Sequence, residues 1–175
     1  MARPEKPIKF TTELISSADS AGWHFIAVTG EVGRKFESDG KSRRVVCTLN
    51  GKERFQCALM PSRGDFVILV NKKIRTSLGV AAGNVLKVTL EKDTSKYGLE
   101  MPEEFEEVLN QDPEGDKLFH ALTPGKQRSL IYAVSSVKDV DKRIHRALIM
   151  IEHLKDNEGK IDNKKLYYEL QRPLM

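Results

Sequence analysis

Leu69-Val-Asn-Lys-Lys-Ile-Arg-Thr-Ser-Leu-Gly-Val-Ala-Ala-Gly-Asn-Val-Leu-Lys-Val-Thr-Leu-Glu91 is the stretch whose reading decides the fold. A strand over Phe66 to Val70 runs into a short helix over Lys72 to Leu78. Gly79 stops the helix, Gly83-Asn84 turns the chain, and a second strand follows from Val85 to Leu90. The stop and the turn need residues that tolerate positive φ, which glycine does without a Cβ clash.

The same unit occurs earlier. Phe25-Ile-Ala-Val-Thr-Gly-Glu-Val-Gly-Arg-Lys-Phe36 aligns without gaps on Val67-Ile-Leu-Val-Asn-Lys-Lys-Ile-Arg-Thr-Ser-Leu78. Apolar residues match at Phe25/Val67, Ile26/Ile68, Val28/Val70, Val32/Ile74 and Phe36/Leu78. Ser38-Asp39-Gly40 and a strand over Arg44 to Leu49 then stand where Gly83-Asn84 and the strand from Val85 stand later. An internal repeat constrains a fold before any element is assigned. Two unrelated strand–helix–strand pieces sharing only their period are the competing explanation.

Working outward, Ile8 to Leu14 alternates as a half-buried strand, Ser16 to Gly22 is a loop, and Trp23 to Val28 opens the first repeat, with its helix at Glu31 to Phe36. Arg44 to Leu49 and Arg54 to Met60 form a hairpin about Asn50-Gly51. Asn-Gly favours a two-residue turn, which sets Leu49 against Lys52 and Cys47 against Arg54. A loop over Gly51 to Glu53 instead pairs Leu49 with Phe55, Cys47 with Cys57 and Val45 with Leu59. A one-residue slip reverses every face, so burial selects the longer loop. Ser62-Arg63-Gly64-Asp65 is the next turn.

Beyond a polar link at Thr94 to Gly98 the period changes from two to 3.6. Pro102, Pro113 and Thr123-Pro124 mark three helix starts, with Asp112 and Thr123 as N-caps and proline in the first helical position. Glu103, Glu104, Glu106 and Glu107 suit a helix N-terminus. Phe105, Val108 and Leu109 make the apolar face of that helix, and Leu118, Phe119 and Leu122 that of the next. Lys126 to Val137 is expected to bury Leu130, Ile131, Val134 and Val137. Asp139 to Lys155 is expected to bury Ile144, Ala147, Leu148, Ile151 and Leu154, to expose Lys138, Lys142, Arg143, His145 and Arg146, and to pair Asp139 with Arg143. Asp162 caps a last helix over Asn163 to Leu170.

With 175 residues, 39% apolar and 31% charged, the chain suits one ordinary domain or two small ones. The polar N-terminus reads as no signal peptide, no apolar run approaches a membrane span, and cytoplasmic is the expected location. Net charge of +4 hides three blocks. Residues 1–99 carry 17 basic and 10 acidic side chains, residues 100–116 eight acids and no base, and residues 117–175 12 bases and seven acids. Basic segments of this size suit phosphates or an anionic surface, and are also what an ordinary solvated surface carries.

These residues resemble a bacterial family, the YdeI/OmpD-associated, bacteriocin-protection-like proteins. The resemblance rests on Trp23-His-Phe-Ile-Ala-Val, Arg44-Val-Val-Cys-Thr-Leu-Asn-Gly, Leu59-Met-Pro and Val70-Asn-Lys-Lys-Ile-Arg-Thr-Ser-Leu-Gly-Val-Ala-Ala-Gly-Asn. It continues in Leu122-Thr-Pro-Gly-Lys-Gln-Arg and Val137-Lys-Asp-Val-Asp-Lys-Arg-Ile-His-Arg, covering roughly residues 8–155. It implies an α+β chain: an N-terminal double-split β-barrel of unknown function with two β-α-β repeats (about 5–96), similar in shape to AbrB/MazE-type DNA-binding domains. A C-terminal helical domain (about 100–172) follows. Thr29-Gly30 stands where the family usually has a proline, and Val140-Asp141 where it usually has Glu-Thr.

Two sets of candidate site residues emerge. Lys138, Lys142, Arg143, His145 and Arg146 are the densest basic cluster in a helix, fit for a protein or small anionic ligand, or for the chain's own Glu103–Glu107 helix. The AbrB-like shape implies a nucleic-acid face from Arg34, Lys35, Lys41, Arg43 and Arg44 in the first repeat and Lys72, Lys73 and Arg75 in the second. Against it, Glu31, Glu37 and Asp39 interrupt the first set, and fold does not carry function.

Cys47 and Cys57, as cross-strand neighbours, read as small buried hydrophobes; no CxxC or histidine pattern points to a metal. His24, His120, His145 and His153 lack ligand spacing, the serines lack a GxSxG elbow, and Gly30-Glu-Val-Gly33 lacks the rest of a phosphate loop. The expectation is a non-catalytic binding protein with no cofactor; the alternative is a nucleic-acid-binding regulator.

Overall fold

Asn71 and Gly79 do what the deciding stretch requires of them. In a computed structural model that describes residues 6–18, 22–36 and 43–174, the Asn71 side chain accepts the Ile74 N–H at 2.9 Å. Gly79, at φ +64°, closes the helix it starts. That helix is α2 (Lys72–Leu78), between β5 (Asp65–Leu69) and β6 (Val85–Lys92). Ahead of it come β1 (Ile8–Ser16), β2 (His24–Val28), α1 (Gly30–Gly33), β3 (Arg43–Leu49) and β4 (Glu53–Ser62). Ser38-Asp39-Gly40 and Lys41 lie outside the described residues.

The six strands close into a barrel in the order β1-β2-β5-β4-β3-β6, every pairing antiparallel. Closure removes the unpaired edges that an open sheet must otherwise protect. Alternate side chains point inward, and Leu14, Ile26, Leu49, Ile68, Leu86 and Leu90 are wholly buried. Each stabilises the barrel by about 1.5–3 kcal/mol through loss of water contact. At the centre of the β2–β5 ladder Ile26 pairs with Ile68.

Three expectations are corrected here. The β3–β4 hairpin pairs Leu49 with Glu53, Cys47 with Phe55 and Val45 with Cys57, two residues away from the expected register but with the same faces inward. The Asn-Gly turn does form: Asn50 and Gly51 take φ +52° and +67°, and Lys52 donates to the Leu49 carbonyl at 3.0 Å. Asn50, Gly51 and Lys52 together lie outside the ladder. Asn50 is also held to β6, donating to the Lys87 carbonyl at 2.8 Å and accepting the Lys87 N–H at 2.9 Å, which pins the loop. Burial selected the face; this anchor selected the register. Cys47 and Cys57 are therefore diagonal neighbours, and both are free thiols. The first helix is one turn, Gly30–Gly33, rather than Glu31 to Phe36. Gly33 sits there so close to Phe66 that a Cβ would stand 2.1 Å from its ring.

Residues 95–175 form a second compact unit, divided from the first between Thr94 and Ser95. It holds α3 (Glu103–Gln111), α4 (Pro113–His120), α5 (Pro124–Ser135), α6 (Val140–Asp156) and α7 (Asn163–Glu169). The other four pack against α6. Phe105 and Phe119, both wholly buried, meet edge to face at 5.2 Å, and Gly115 lets α4 approach until a Cβ would lie 2.2 Å from Ile151.

Pro113 and Pro124 occupy first-turn positions as expected, with Asp112 capping α4 through Gly115 N–H at 2.9 Å. Thr123 is an N-cap by backbone alone. Pro102 is the N-cap residue of α3 rather than its first helical residue: its φ fits either position, and ψ of 136° leaves it outside. α5 begins two residues before Lys126, at Pro124, and ends at Ser135, leaving Val137 half-buried beyond it. Asp139 caps α6 by accepting Lys142 N–H at 2.9 Å instead of pairing with Arg143. Among the described residues no helix is long and apolar enough to cross a membrane.

Candidate functional site

α6 carries more apolar surface than its neighbours cover. Ala147, Met150, Ile151 and Leu154 face the core, and Ile149 and His153 extend the buried arc to one side. On the other side Ile144 is 38% and Leu148 53% exposed, where the 3.6-residue period led us to expect both buried. The apolar arc is simply wider than the packed one.

Between that flank and α3 lies an open groove of about 860 Å³. Val108, Ile144, Leu148 and Ile151 make its floor. Six carboxylates ring it, from Glu103, Glu104, Glu107, Asp112, Glu152 and Asp156, against one cation, Lys155. Lys155 is committed: its Nζ lies 3.0 Å from Asp112 and 3.7 Å from Glu114. The Gly115 N–H, and after it Lys155, hold the Asp112 carboxyl below its ordinary pKa, and hydrogen bonding to Asp112 raises that of Lys155. Glu104 lies 3.5 Å from Arg143, and Glu152 3.5 Å from Arg172. No ion pair among the described residues engages Glu103, Glu107 or Asp156.

The basic cluster expected on α6 is not one free surface. Arg143 donates through Nε to the Val137 carbonyl at 2.7 Å while reaching Glu104. Arg146 donates to the Ala133 carbonyl at 2.7 Å and lies 3.2 Å from Ser136 Oγ. Both close the C-terminal end of α5, where cations suit the helix dipole and the last carbonyls need donors. His145 Nε2 lies 2.9 Å from the Arg172 carbonyl. Only Lys138 and Lys142 remain fully exposed. The acidic helix does receive a basic side chain of its own chain, through Arg143 and Glu104.

In the barrel, Lys72 and Lys73 are exposed in the first turn of α2, and Arg34 and Lys35 are exposed just after α1. Arg43 lies over the Phe66 ring at 5.1 Å. Arg44 is half-buried beside Cys57, and Arg75 is half-buried with an Nε that lacks a hydrogen-bond partner. The set is thus divided between exposed Arg34, Lys35, Lys72 and Lys73 and half-buried Arg43, Arg44 and Arg75, while Lys41 is outside the described residues.

Sequence reasoning missed a buried polar pair. His153 Nδ1 lies 2.7 Å from Glu169 Oε2, and His153 Nε2 accepts the Asp162 N–H at 3.1 Å. A backbone donor on Nε2 fixes the proton on Nδ1, which then donates to the carboxylate. Both side chains are buried, so the pair fastens α7 to α6. An i,i+16 contact leaves no periodic signal; only a histidine on the apolar arc of α6 hinted at it. Burial raises the thiol pKa of Cys57 to about 12 and that of Cys47 further, so neither is a ready nucleophile. Among the described residues no group of three histidine, cysteine or carboxylate side chains is placed to hold a metal.

Residues 10–90 match the model of a domain of unknown function, DUF1905. Residues 98–157 match the family described as bacteriocin-protection, YdeI or OmpD-associated. No curated protein matches the chain. All the groove residues fall inside the second match, whereas α7 and Glu169 lie beyond it.

Proposed function

We propose that the chain is a non-catalytic binding protein, on the ground that residues 98–157 match the bacteriocin-protection, YdeI or OmpD-associated family and residues 10–90 match DUF1905. Its binding surface on this reading is the α3–α6 groove, which takes a segment of another protein. The observation that carries it is the open apolar floor: Leu148, 53% exposed, sits at the mid-length of a long helix inside a walled groove. Association and protection, the words of the family description, both need binding and neither needs a reaction. Helices presenting such grooves receive partner segments through apolar anchors.

Selecting a random peptide library against the protein, with counter-selection against Leu148→Asp, tests this. Enrichment of peptides that bind the parent at least tenfold better than the variant is expected. Peptides that bind both equally would overturn it, with circular dichroism confirming that the variant is folded.

For the first domain we read a double-split barrel of two fused β-α-β halves. The registers support it. Ile26 pairs with Ile68, its equivalent in the ungapped alignment, and Thr48 with Thr89, its equivalent when the strands starting at Arg44 and Val85 are set start to start. Exchanging β1 with β4, β2 with β5 and β3 with β6 leaves the cyclic strand order unchanged. The N-caps correspond as well, Thr29 accepting from Val32 and Asn71 from Ile74.

One observation favours a second reading, nucleic-acid binding by this barrel. Lys72 and Lys73 stand at a helix N-terminus, where the helix dipole works against cations, so an external anion would relieve them. Loss of a low-salt DNA mobility shift on Lys72→Glu/Lys73→Glu is the expected result. Absence of any shift in the parent protein removes this reading.

A further inference from the structure

We propose that the occupant of the α3–α6 groove is a basic amphipathic helix of a partner protein. This rests on the reading of the groove as the binding surface and adds what that surface recognises. The first argument is charge. Of the six rim carboxylates, Asp112, Glu104 and Glu152 are met by Lys155, Arg143 and Arg172. Glu103, Glu107 and Asp156 have no ion pair among the described residues, which leaves the rim net negative on a chain whose net charge is +4. A basic partner is steered towards such a rim and an acidic one repelled.

The second argument is where two of those carboxylates stand. Glu103 and Glu104 of α3 sit in its first turn, where the helix dipole stabilises them without any ligand, and Glu107 lies just beyond it. Glu152 and Asp156 sit in the last turns of α6, where the same dipole disfavours them. Arg172 compensates Glu152, but no ion pair among the described residues compensates Asp156, and a cation from outside would do so.

The third argument is shape. Ile144, Leu148, Ile151 and Lys155 recur at four, three and four residues, one stripe along α6. At 1.5 Å per residue the stripe is about 16 Å long, which matches roughly three turns of a partner helix. The occupant therefore presents leucine-like side chains at i, i+3/i+4 and i+7 to Ile144 and Leu148, and lysine or arginine on both flanks.

The test uses the full-length protein and synthetic fluorescent peptides of about 14 residues, long enough for the three turns. One carries leucines at helical spacing with lysines elsewhere; the other replaces every lysine by glutamine. Fluorescence anisotropy is expected to show the lysine peptide binding at least tenfold more tightly. Glu107→Lys/Glu152→Lys is expected to weaken it at least tenfold. The matched swap off the groove, Glu106→Lys/Glu158→Lys, changes net charge equally and is expected to stay within twofold. Equal loss in both swaps would overturn the inference as bulk electrostatics. Equal binding of the two peptides, abolished by Leu148→Asp, would overturn it while leaving the groove as a binding surface. Binding untouched by either groove variant would overturn both readings. Sedimentation showing a dimer that only the groove swap dissociates would assign the groove to a second copy of the chain and overturn the basic-helix partner.

Discussion

The barrel and the helical unit solve the same burial problem with different remainders. In the barrel each strand spends its hydrogen-bonding edges on two neighbours and one face on the core, so closure uses up what the sheet could have offered. In the helical unit α6 has an apolar arc wider than α3, α4, α5 and α7 cover, and Ile144 and Leu148 are left over. A closed sheet leaves charged loops as its means of recognition, whereas a bundle around one long helix leaves a groove. The difference lies in geometry, since both units are built from similar proportions of apolar side chains.

The contrast within α6 is the widest gap to test. Leu154→Ala, at a wholly buried position, is expected to cost about 2–5 kcal/mol of unfolding free energy. Leu148→Ala, six residues away, is expected to cost roughly 0.5 kcal/mol or less. Urea denaturation of the two variants measures both, and similar costs would break the comparison.

Close backbone approach supplies the next effect, one residue in each unit. Gly115→Ala forces a methyl against Ile151 and Gly33→Ala one against Phe66. Each is expected to lower stability by about 1–3 kcal/mol through overpacking, read from thermal denaturation. The fastening of α7 comes third. His153→Ala leaves Glu169 buried without its main partner and is expected to cost about 1–3 kcal/mol. It should also speed amide exchange across Asn163–Glu169, measured by mass spectrometry; unchanged exchange there would remove the fastening role.

Near neutral pH the thiols give the smallest effect, and theirs emerges only in alkali. Cys57 has its pKa raised by burial from an ordinary 9.0 to about 12. The unfolded chain therefore loses that proton first as pH rises. The stability from burying the neutral thiol is complete below pH 9 and is lost between there and about pH 12. A Cys57→Ala variant should show a shallower loss over that window in denaturation titrations.

The two units were not equally legible in the sequence. Period-two alternation fixes which residues of a strand share a face, so the inward set of β3 and β4 follows from Val45, Cys47 and Leu49 alone. Alternation cannot distinguish registers two residues apart, and the long-range anchor of Asn50 on Lys87 decides that. α2 was readable to the residue because its cap and its stop are both local. α6 was readable as a helix, but its exposed flank was not. Ile144 and Leu148 match the core period as well as Leu154 does, and only the placement of α3 separates them. The engagement of the basic cluster was hidden for a related reason: side chains four residues apart share a helix face, yet nothing local reveals that Arg143 and Arg146 close the end of α5. The acidic block over residues 100–116 was visible from the start, but its meeting with Glu152 and Asp156 of α6 depends on tertiary packing.

Methyl NMR with isoleucine and leucine labels, titrated with the leucine–lysine peptide, tests the groove most directly. The account predicts shifts at Ile144 and Leu148 that saturate together, with Ile131 and Leu154 in the core unmoved. Shifts confined to the barrel methyls beside α2, or none at Leu148 once the peptide is bound, would contradict it.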